Sequence, residues 1–450
     1  MSRPGINTIA DKKLAAHVLD GGRLRALGLE RWQRTRMDWG FVTDRLANTF
    51  RRETWIGAHE RRFVGETLYG LVRHIRRVDA ALARGRKTQK PPRDLERLIA
   101  LLVLEKLVEP SRAALAERDL DWNAVAGIDA VIAAERKLPA RIALAASMPD
   151  WLAARLVAEW GDEAEALAHA LNERAPMTVR ANLLVGTREE LANDLGRDEL
   201  VTHPGRWSDT ALHVETRTNL FGLAAFKRGA MEAQDEGSQL LADLTVSALG
   251  TASPLVIDLC AGGGGKTLAI AARLANRGRI IASDIDTLKL DELRRRARRA
   301  TVSNSQAIHL EQGRWPASLD ALRGKADVVF VDAPCSGLGA LRRNPEARWR
   351  LQEADFASFA ARQHEILDGA YHLCAPGGRL VYATCTILRQ ENQDVADAVI
   401  AAHADLQAVP LTAVLGEERA RALGDGTDLL VTPLRHGTDG FFARVMSRTA

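Results

Sequence analysis

Along the first third of the chain the apolar positions recur at three- and four-residue spacing; beyond about residue 250 they gather into short β-branched runs. The first pattern predicts helices over residues 8–145, including 12–29, 59–85 and 95–110, with a basic, proline-containing loop from Arg84 to Arg93. From about residue 147 the texture changes. A helical period runs to residue 174, Pro176 opens a strand-like stretch at 177–185, and further β-patterned residues follow at 211–215. Arg180 and Asn182 fall on one side of that first strand, where Arg180 meets either RNA or a surface carboxylate. From residue 233 strand and helix patterns alternate. Strands are expected at 255–260, 279–285, 306–312, 326–334 and 377–385, with a long helix over Glu353–Leu373 and a closing antiparallel hairpin near 429–434 and 440–447. That alternation predicts a doubly wound α/β fold with a parallel sheet.

At 450 residues the chain exceeds a single core and calls for two or three domains. No apolar run approaches a membrane span, the N-terminus lacks a signal-peptide core, and four cysteines give no disulfide framework, so a reducing cytoplasm is the expected compartment. Charge adds one asymmetry. Residues 1–100 carry 22 Lys and Arg against 11 Asp and Glu, which leaves −7 for the remainder of a chain whose net charge is +4. A basic front suits either a polyanion partner or a solvated helical surface.

The stretch at 326–349 organises the chemistry. A buried-strand run, Val328 to Val331, delivers Asp332 and Cys335 to a glycine-rich loop that turns basic at Arg342-Arg343. Upstream, the first βα turn reads Asp258-Leu259-Cys260-Ala261-Gly262-Gly263-Gly264-Gly265-Lys266-Thr267, where glycines admit a ligand close to the backbone. A P-loop requires glycine at 260, so Cys260 excludes that NTPase motif. Asp284 ends the second strand, where a carboxylate accepts from a ribose diol. Turn and acid together indicate a nucleoside-containing cofactor, either a dinucleotide or S-adenosylmethionine.

Two cysteines divide those alternatives. Cys335 follows the fourth strand of the sheet and Cys385 the fifth, which puts both at one edge near the cofactor. A thiolate attacking C6 of a pyrimidine makes C5 electron-rich enough to accept an activated methyl group. Asp332 is placed to hold the base's ring nitrogen. Two buried, inert cysteines are the plain alternative. No metal is expected, because 50 residues separate these cysteines and the 11 histidines show no ligand spacing. Cys374, at a helix end, reads as structural.

The C-terminal half resembles the RsmB-type, Nop/Sun family of RNA 5-methylcytosine methyltransferases. The resemblance rests on Gln234–Gln239 (QDEGSQ), the cofactor loop at 258–267, DAPCSG at 332–337 with RRNP at 342–345, YATC at 382–385 and DGFF at 439–442. It extends upstream to about residue 147; residues before that match only in helical pattern and charge. The resemblance implies a class I, Rossmann-like methyltransferase domain over 233–450. A small α+β, RRM-like RNA-binding domain over 147–232 and an NusB-like helical RNA-binding domain over 1–146 precede it. It further implies that Cys385 forms the covalent bond to cytosine C6 and that Cys335 assists breakdown of the adduct. S-adenosylmethionine would be held by Cys260, Ala261, Gly262, Gly263, Gly264, Gly265, Lys266, Asp284, Gln312 and Asp332, with Asp332 between cofactor and base and the RRNP turn brought to the same base.

Several positions depart from the family pattern. Gly262-Gly263 stands where Ala-Pro is usual, Glu311-Gln312-Gly313 where the third strand ends in Gly-Asp, Thr386 for serine and Arg348 for lysine. The expected activity is S-adenosylmethionine-dependent cytosine-C5 methylation of RNA. Small-subunit ribosomal RNA is the first substrate and transfer RNA the second, with neither metal nor membrane involved and a monomer favoured. DNA cytosine methylation would use the Cys335 thiol as nucleophile instead. A non-catalytic RNA-binding assembly factor is the rival of another class. The basic run Arg294–Arg299 is expected to be a solvated face.

Overall fold

The computed structural model describes residues 9–88, 90–247, 249–311 and 315–449. They form two compact units, one of residues up to 173 together with 341–353, the other of 174–340 and 354–450.

The first unit is helical. Its axis is Ala58–Gly85, whose residues Val64, Leu68, Leu71, Ile75, Val78 and Leu82 recur at the spacing that puts them on one face, and all are buried. Helices Gly22–Asp38 and Asp94–Leu104 pack around it and share its core, while the indole of Trp32 donates to Asp94 Oδ1 at 3.0 Å. The helices Asp150–Trp160 and Ala164–Asn172 cluster with this unit. So do residues 341–353. Arg348 is fully buried there and donates to Ala146 O, Ser147 O and Asn172 Oδ1 at 2.8, 3.2 and 3.0 Å, and the Trp349 indole donates to Val72 O at 2.8 Å. Desolvation, reinforced by the neighbouring Arg73 charge, lowers the Arg348 guanidinium to about 9.

Strands in the second unit are β1 (Met177–Ala181), β2 (Thr202–Pro204), β3 (Ala211–Val214), β4 (Met231–Ala233), β5 (Leu255–Leu259), β6 (Arg279–Asp284), β7 (Ser305–His309), β8 (Ala326–Asp332), β9 (Cys374–Thr384), β10 (Leu406–Ala408), β11 (Gly424–Asp425), β12 (Asp428–Val431) and β13 (Phe441–Arg448). The first four make a small antiparallel sheet in the order β2-β3-β1-β4. One face buries Val179, Ala181, Leu212 and Met231 under the helix Arg188–Arg197, which Thr187 caps by accepting from Glu190 N at 3.1 Å.

The opposite face is polar yet buried, because it packs on the larger sheet's helices. Asn182 Nδ2 donates to Gly229 O and Ala300 O at 2.8 and 2.9 Å, and Arg180 Nε to Gln234 Oε1 at 2.6 Å. Arg180 therefore faces the neighbouring sheet rather than solvent or RNA, with only 4% of its surface exposed. Arg296 and Arg299 both pair with Glu232, and the Arg299 guanidinium lies 3.7 Å from the centre of the Phe226 ring. Two of the five arginines in the basic run are thus docking contacts; Arg294 and Arg295 instead pair with Asp291 and Glu292 on their own helix.

The larger sheet, nine-stranded among the described residues, runs β11-β12-β13-β9-β8-β5-β6-β7, with β10 beside β13. The five strands β9-β8-β5-β6-β7 are parallel, and β13 returns antiparallel to β9 in the expected hairpin with β12. Val256, Ile257 and Val328 to Val331 are fully buried, as helices on both faces of a parallel sheet require. Strand order reverses direction between β5 and β8, the position where such sheets open a crevice at their carboxyl ends. No helix among the described residues is long and apolar enough to cross a membrane.

Candidate active site

The turn after β5 is bent by backbone conformations that only small residues hold easily. Gly262 and Gly264 have φ of +54° and +81°, and Cys260 joins them at +66°. Ala261 N donates to Ser283 O and Gly264 N to Ala261 O, at 2.8 and 2.9 Å, which closes the turn onto β6. Gly262 N donates to Asp284 Oδ2 at 2.8 Å, while Asp286 N donates to Oδ1 at 2.9 Å, so the acidic end of β6 is locked to the glycine turn. A Cβ at Gly264 would come within 2.6 Å of Leu293 Cγ. Gly264 therefore shapes the turn from behind and does not line the cavity.

That cavity, about 1320 Å³, opens over the carboxyl ends of β5, β6 and β8. Its wall includes Cys260, Ala261, Gly262, Gly263, Gly265, Lys266, Asp284, Asp332, Cys335 and Cys385, which sequence reasoning had gathered from four separate motifs. The lysine and carboxylate meet directly, Lys266 Nζ lying 2.6 Å from Asp332 Oδ2. The two sulfur atoms meet as well, with Cys335 Sγ 3.2 Å from Cys385 Sγ. Adjacent parallel strands bring them together: Asp332 at the end of β8 pairs with Ala383 near the end of β9, so each following residue enters the same crevice. Gly339 N holds the Cys385 carbonyl at 2.9 Å, and Gly440 N holds Gly339 O at 2.9 Å. The DGFF motif thus supports the cysteine loop backbone to backbone.

Electrostatics differ across this small space. Burial alone would push the Lys266 ammonium down, but the adjacent Asp332 carboxylate holds it above the ordinary lysine range. The hydrogen bond with Cys385, followed by burial and by the charges of Cys385 and Glu391, holds the Cys335 thiol above the usual range. Cys260 is raised by burial and by the surrounding aspartates, which makes it an inert wall residue. Burial pushes Cys374 up to about 12, in keeping with a structural thiol. Asp258 is raised to about 7 by desolvation, against the opposing hydrogen bond from Thr267 Oγ1 at 2.6 Å.

The RRNP turn at 342–345 belongs to the first unit, where Arg348 and Trp349 anchor the segment in the helical core. Gln312 lies outside the described residues. Other cavity residues went unassigned in the sequence: Gln234 and Ser238 line the wall, and Asp258 contributes a carboxylate. QDEGSQ was the available signal for the first two. Its Asp235 accepts from Gly237 N and Asp439 N at 2.8 and 3.1 Å, joining that motif to DGFF.

The descriptions of two family models match this chain: "16S rRNA methyltransferase RsmB/F" over residues 250–447, and the ferredoxin-like domain of the same group over 148–220. Ribosomal RNA small subunit methyltransferase B of Xanthomonas campestris is 31% identical over 413 residues, covering 87% of this chain and 90% of that protein. The Shewanella oneidensis protein of the same name is 28% identical, covering 87% and 91%. Among solved structures, a methyltransferase homolog from Pyrococcus horikoshii superposes with TM-score 0.57 at 24% identity, covering 68% of this chain and 97% of that one. NSun6 from the same organism, solved with SFG, gives 0.56 at 19% identity, covering 70% and 98%.

S-adenosylmethionine is the cofactor, and the cavity suits it. Asp258 Oδ1 is buried without a hydrogen-bond partner at the foot of a glycine turn whose backbone borders the cavity, leaving one acceptor for a polar ligand. Glycine turn, acidic strand end and paired cysteines occupy one crevice, and the motifs that build it match relatives over nearly the whole chain; the protein belongs to the RsmB-type, Nop/Sun family of methyltransferases.

Proposed function

We propose that this protein methylates C5 of a cytosine in RNA, with small-subunit ribosomal RNA as substrate and Cys385 as nucleophile. The observation that carries the reading is the 3.2 Å contact between Cys335 and Cys385 in a cavity shared with the cofactor turn and Asp332. The name shared by the relatives supports ribosomal RNA.

Asp284 would hold the cofactor's ribose diol, and the backbone from Cys260 to Lys266 would surround its methionine portion. Bound there, S-adenosylmethionine supplies an electrophilic methyl group. The protein's own task is to make cytosine C5 nucleophilic. Cys385, as thiolate, adds to C6 of a base taken out of its stack, and the electron pair shifted to the ring activates C5. Asp332, fixed by Lys266, is placed to hold the ring-nitrogen edge of that base. Once C5 carries the methyl group, its proton passes to water, the C5–H electron pair re-forms the C5–C6 double bond, and the C6–S bond breaks to return Cys385 as thiolate. Cys335 stands beside the sulfur that must leave. Free thiols in a working site suit a reducing, cytoplasmic compartment.

Trapping with 5-azacytidine-containing RNA tests the mechanism. A covalent complex with RNA and none with 5-azacytidine-containing DNA is expected. Bisulfite sequencing of ribosomal and transfer RNA from a deletion strain tests the substrate, and loss of 5-methylcytosine from transfer RNA alone would move the assignment there.

A further inference from the structure

Behind the two cysteines lies a buried carboxylate to which the mechanism above assigns no step. Glu391, in the short turn after β9, is fully buried. Both of its oxygens are engaged by the loop that carries Cys335. Oε2 accepts from Ser336 N at 2.8 Å and from Gln363 Nε2 at 3.0 Å, and Oε1 accepts from Ser336 Oγ at 2.5 Å. Gln363, itself fully buried, also donates to Pro334 O at 3.0 Å. The residues on either side of Cys335 are therefore tied, one directly and one through an amide, to a single carboxylate.

The Cys385 loop is tied to the same point. Ser336 Oγ lies 3.1 Å from Thr386 Oγ1, Asn392 Nδ2 donates to Thr386 O at 3.2 Å, and the Tyr382 hydroxyl donates to Glu391 O at 2.6 Å. A buried charge is retained only where its hydrogen bonds are complete, and such a network holds its members in one arrangement.

We propose that Glu391 is a positioning residue of the two-cysteine centre, its carboxylate fixing the loop of Cys335 against the loop of Cys385 and so holding the two sulfur atoms in contact. This rests on the cysteine chemistry proposed above for its catalytic consequence, but not for the geometry itself. The side chain is not part of the cofactor cavity's wall. Displacement of a catalytic sulfur by about 1 Å is enough to lower turnover by roughly 100-fold.

The test compares Glu391→Gln, which keeps an acceptor for Ser336 N, with Glu391→Ala, which keeps none. One readout needs no substrate: the rate at which diamide, a two-electron thiol oxidant that is reduced to its hydrazine, joins Cys335 and Cys385 in a disulfide, followed by mass spectrometry. Glu391→Ala is expected to slow this at least about 10-fold and to lower kcat by roughly 100-fold, with KM for S-adenosylmethionine within about threefold. Glu391→Gln is expected to restore both rates to within about fivefold of wild type. Should the alanine variant fail to fold, Ser336→Ala, which removes one arm of the network, is expected to slow disulfide formation by about threefold. Wild-type disulfide rates in folded Glu391→Ala or Ser336→Ala would overturn the proposal, as would a glutamine variant as slow as alanine. If the wild-type protein yields no 5-methylcytosine while the disulfide rates follow this order, the functional reading fails and the positioning role stands.

Discussion

Lys266 Nζ and Asp332 Oδ2 form a 2.6 Å ion pair that joins the helix following the cofactor turn to the end of β8. The pair is mostly buried, the lysine side chain 15% and the aspartate 27% exposed, so neither charge is well hydrated alone. Removing the ammonium leaves an uncompensated carboxylate in the cofactor cavity. Lys266→Met is expected to lower stability by about 1–3 kcal/mol in urea titrations and to reduce single-turnover methylation by roughly 100-fold. Stability and rate unchanged together would remove this pair from the site.

The proposed mechanism gives the two touching cysteines different fates. Cys385→Ala is expected to lose methylation by at least about 1000-fold and to form no covalent complex with 5-azacytidine-containing RNA. Cys335→Ala is expected to accumulate protein–RNA adduct on ordinary RNA, visible as a denaturant-resistant band. The reverse pattern would exchange the two roles.

Asp258 gives the protein a pH signature. Its carboxyl titrates near 3.8 when exposed and at about 7 in the fold, raised chiefly by desolvation. Between those values the native state holds a proton that the unfolded chain has released. The contribution to stability is therefore complete below about pH 4 and is lost as pH rises through 7. From pH 5 to pH 8 the wild-type protein is expected to lose about 2–3 kcal/mol relative to Asp258→Asn, whose amide does not titrate there. Parallel urea melts of the two proteins check the slope.

Neighbouring glycines of the cofactor turn are expected to differ sharply. Gly264→Ala combines a φ of +81° with a Cβ only 2.6 Å from Leu293 Cγ, so binding of S-adenosylmethionine should fall by at least about 10-fold in calorimetry. At Gly262 the nearest atoms to a new Cβ are 4.0 Å away and only the positive φ opposes it, so Gly262→Ala should cost about 1 kcal/mol.

At the junction of the small sheet and the large one, Gly229 leaves no room for a side chain. A Cβ there would stand 1.9 Å from Arg299 O, on a residue whose φ is +77°. Gly229→Ala is expected to destabilise by about 2 kcal/mol or more, through displacement of the Asn182 and Arg299 contacts, in denaturant melts monitored by tryptophan fluorescence.

The parallel sheet was legible because buried central strands must be continuously apolar, as Val328 to Val331 are, and because chemistry-bearing residues at their carboxyl ends share one crevice. Asp284, Asp332, Cys335 and Cys385 all stand at or just beyond such strand ends and line the same cavity. Local chain signals also marked the glycine turn, since its φ values follow from residue type. What they did not give was side-chain partnership across long sequence separations. Whether Arg180 meets solvent or a neighbouring sheet, whether the RRNP segment faces a ligand or a helical core, and whether Glu391 is an ordinary turn residue or a buried anchor all depend on what packs against them. Hydrophobic periodicity specifies which face of an element is covered, so the sequence determined the elements and the edge of the sheet that bears the chemistry. Only the tertiary structure decided the 3.2 Å meeting of two sulfurs and the carboxylate behind them, because those depend on hydrogen bonds between residues 50 and 55 positions apart.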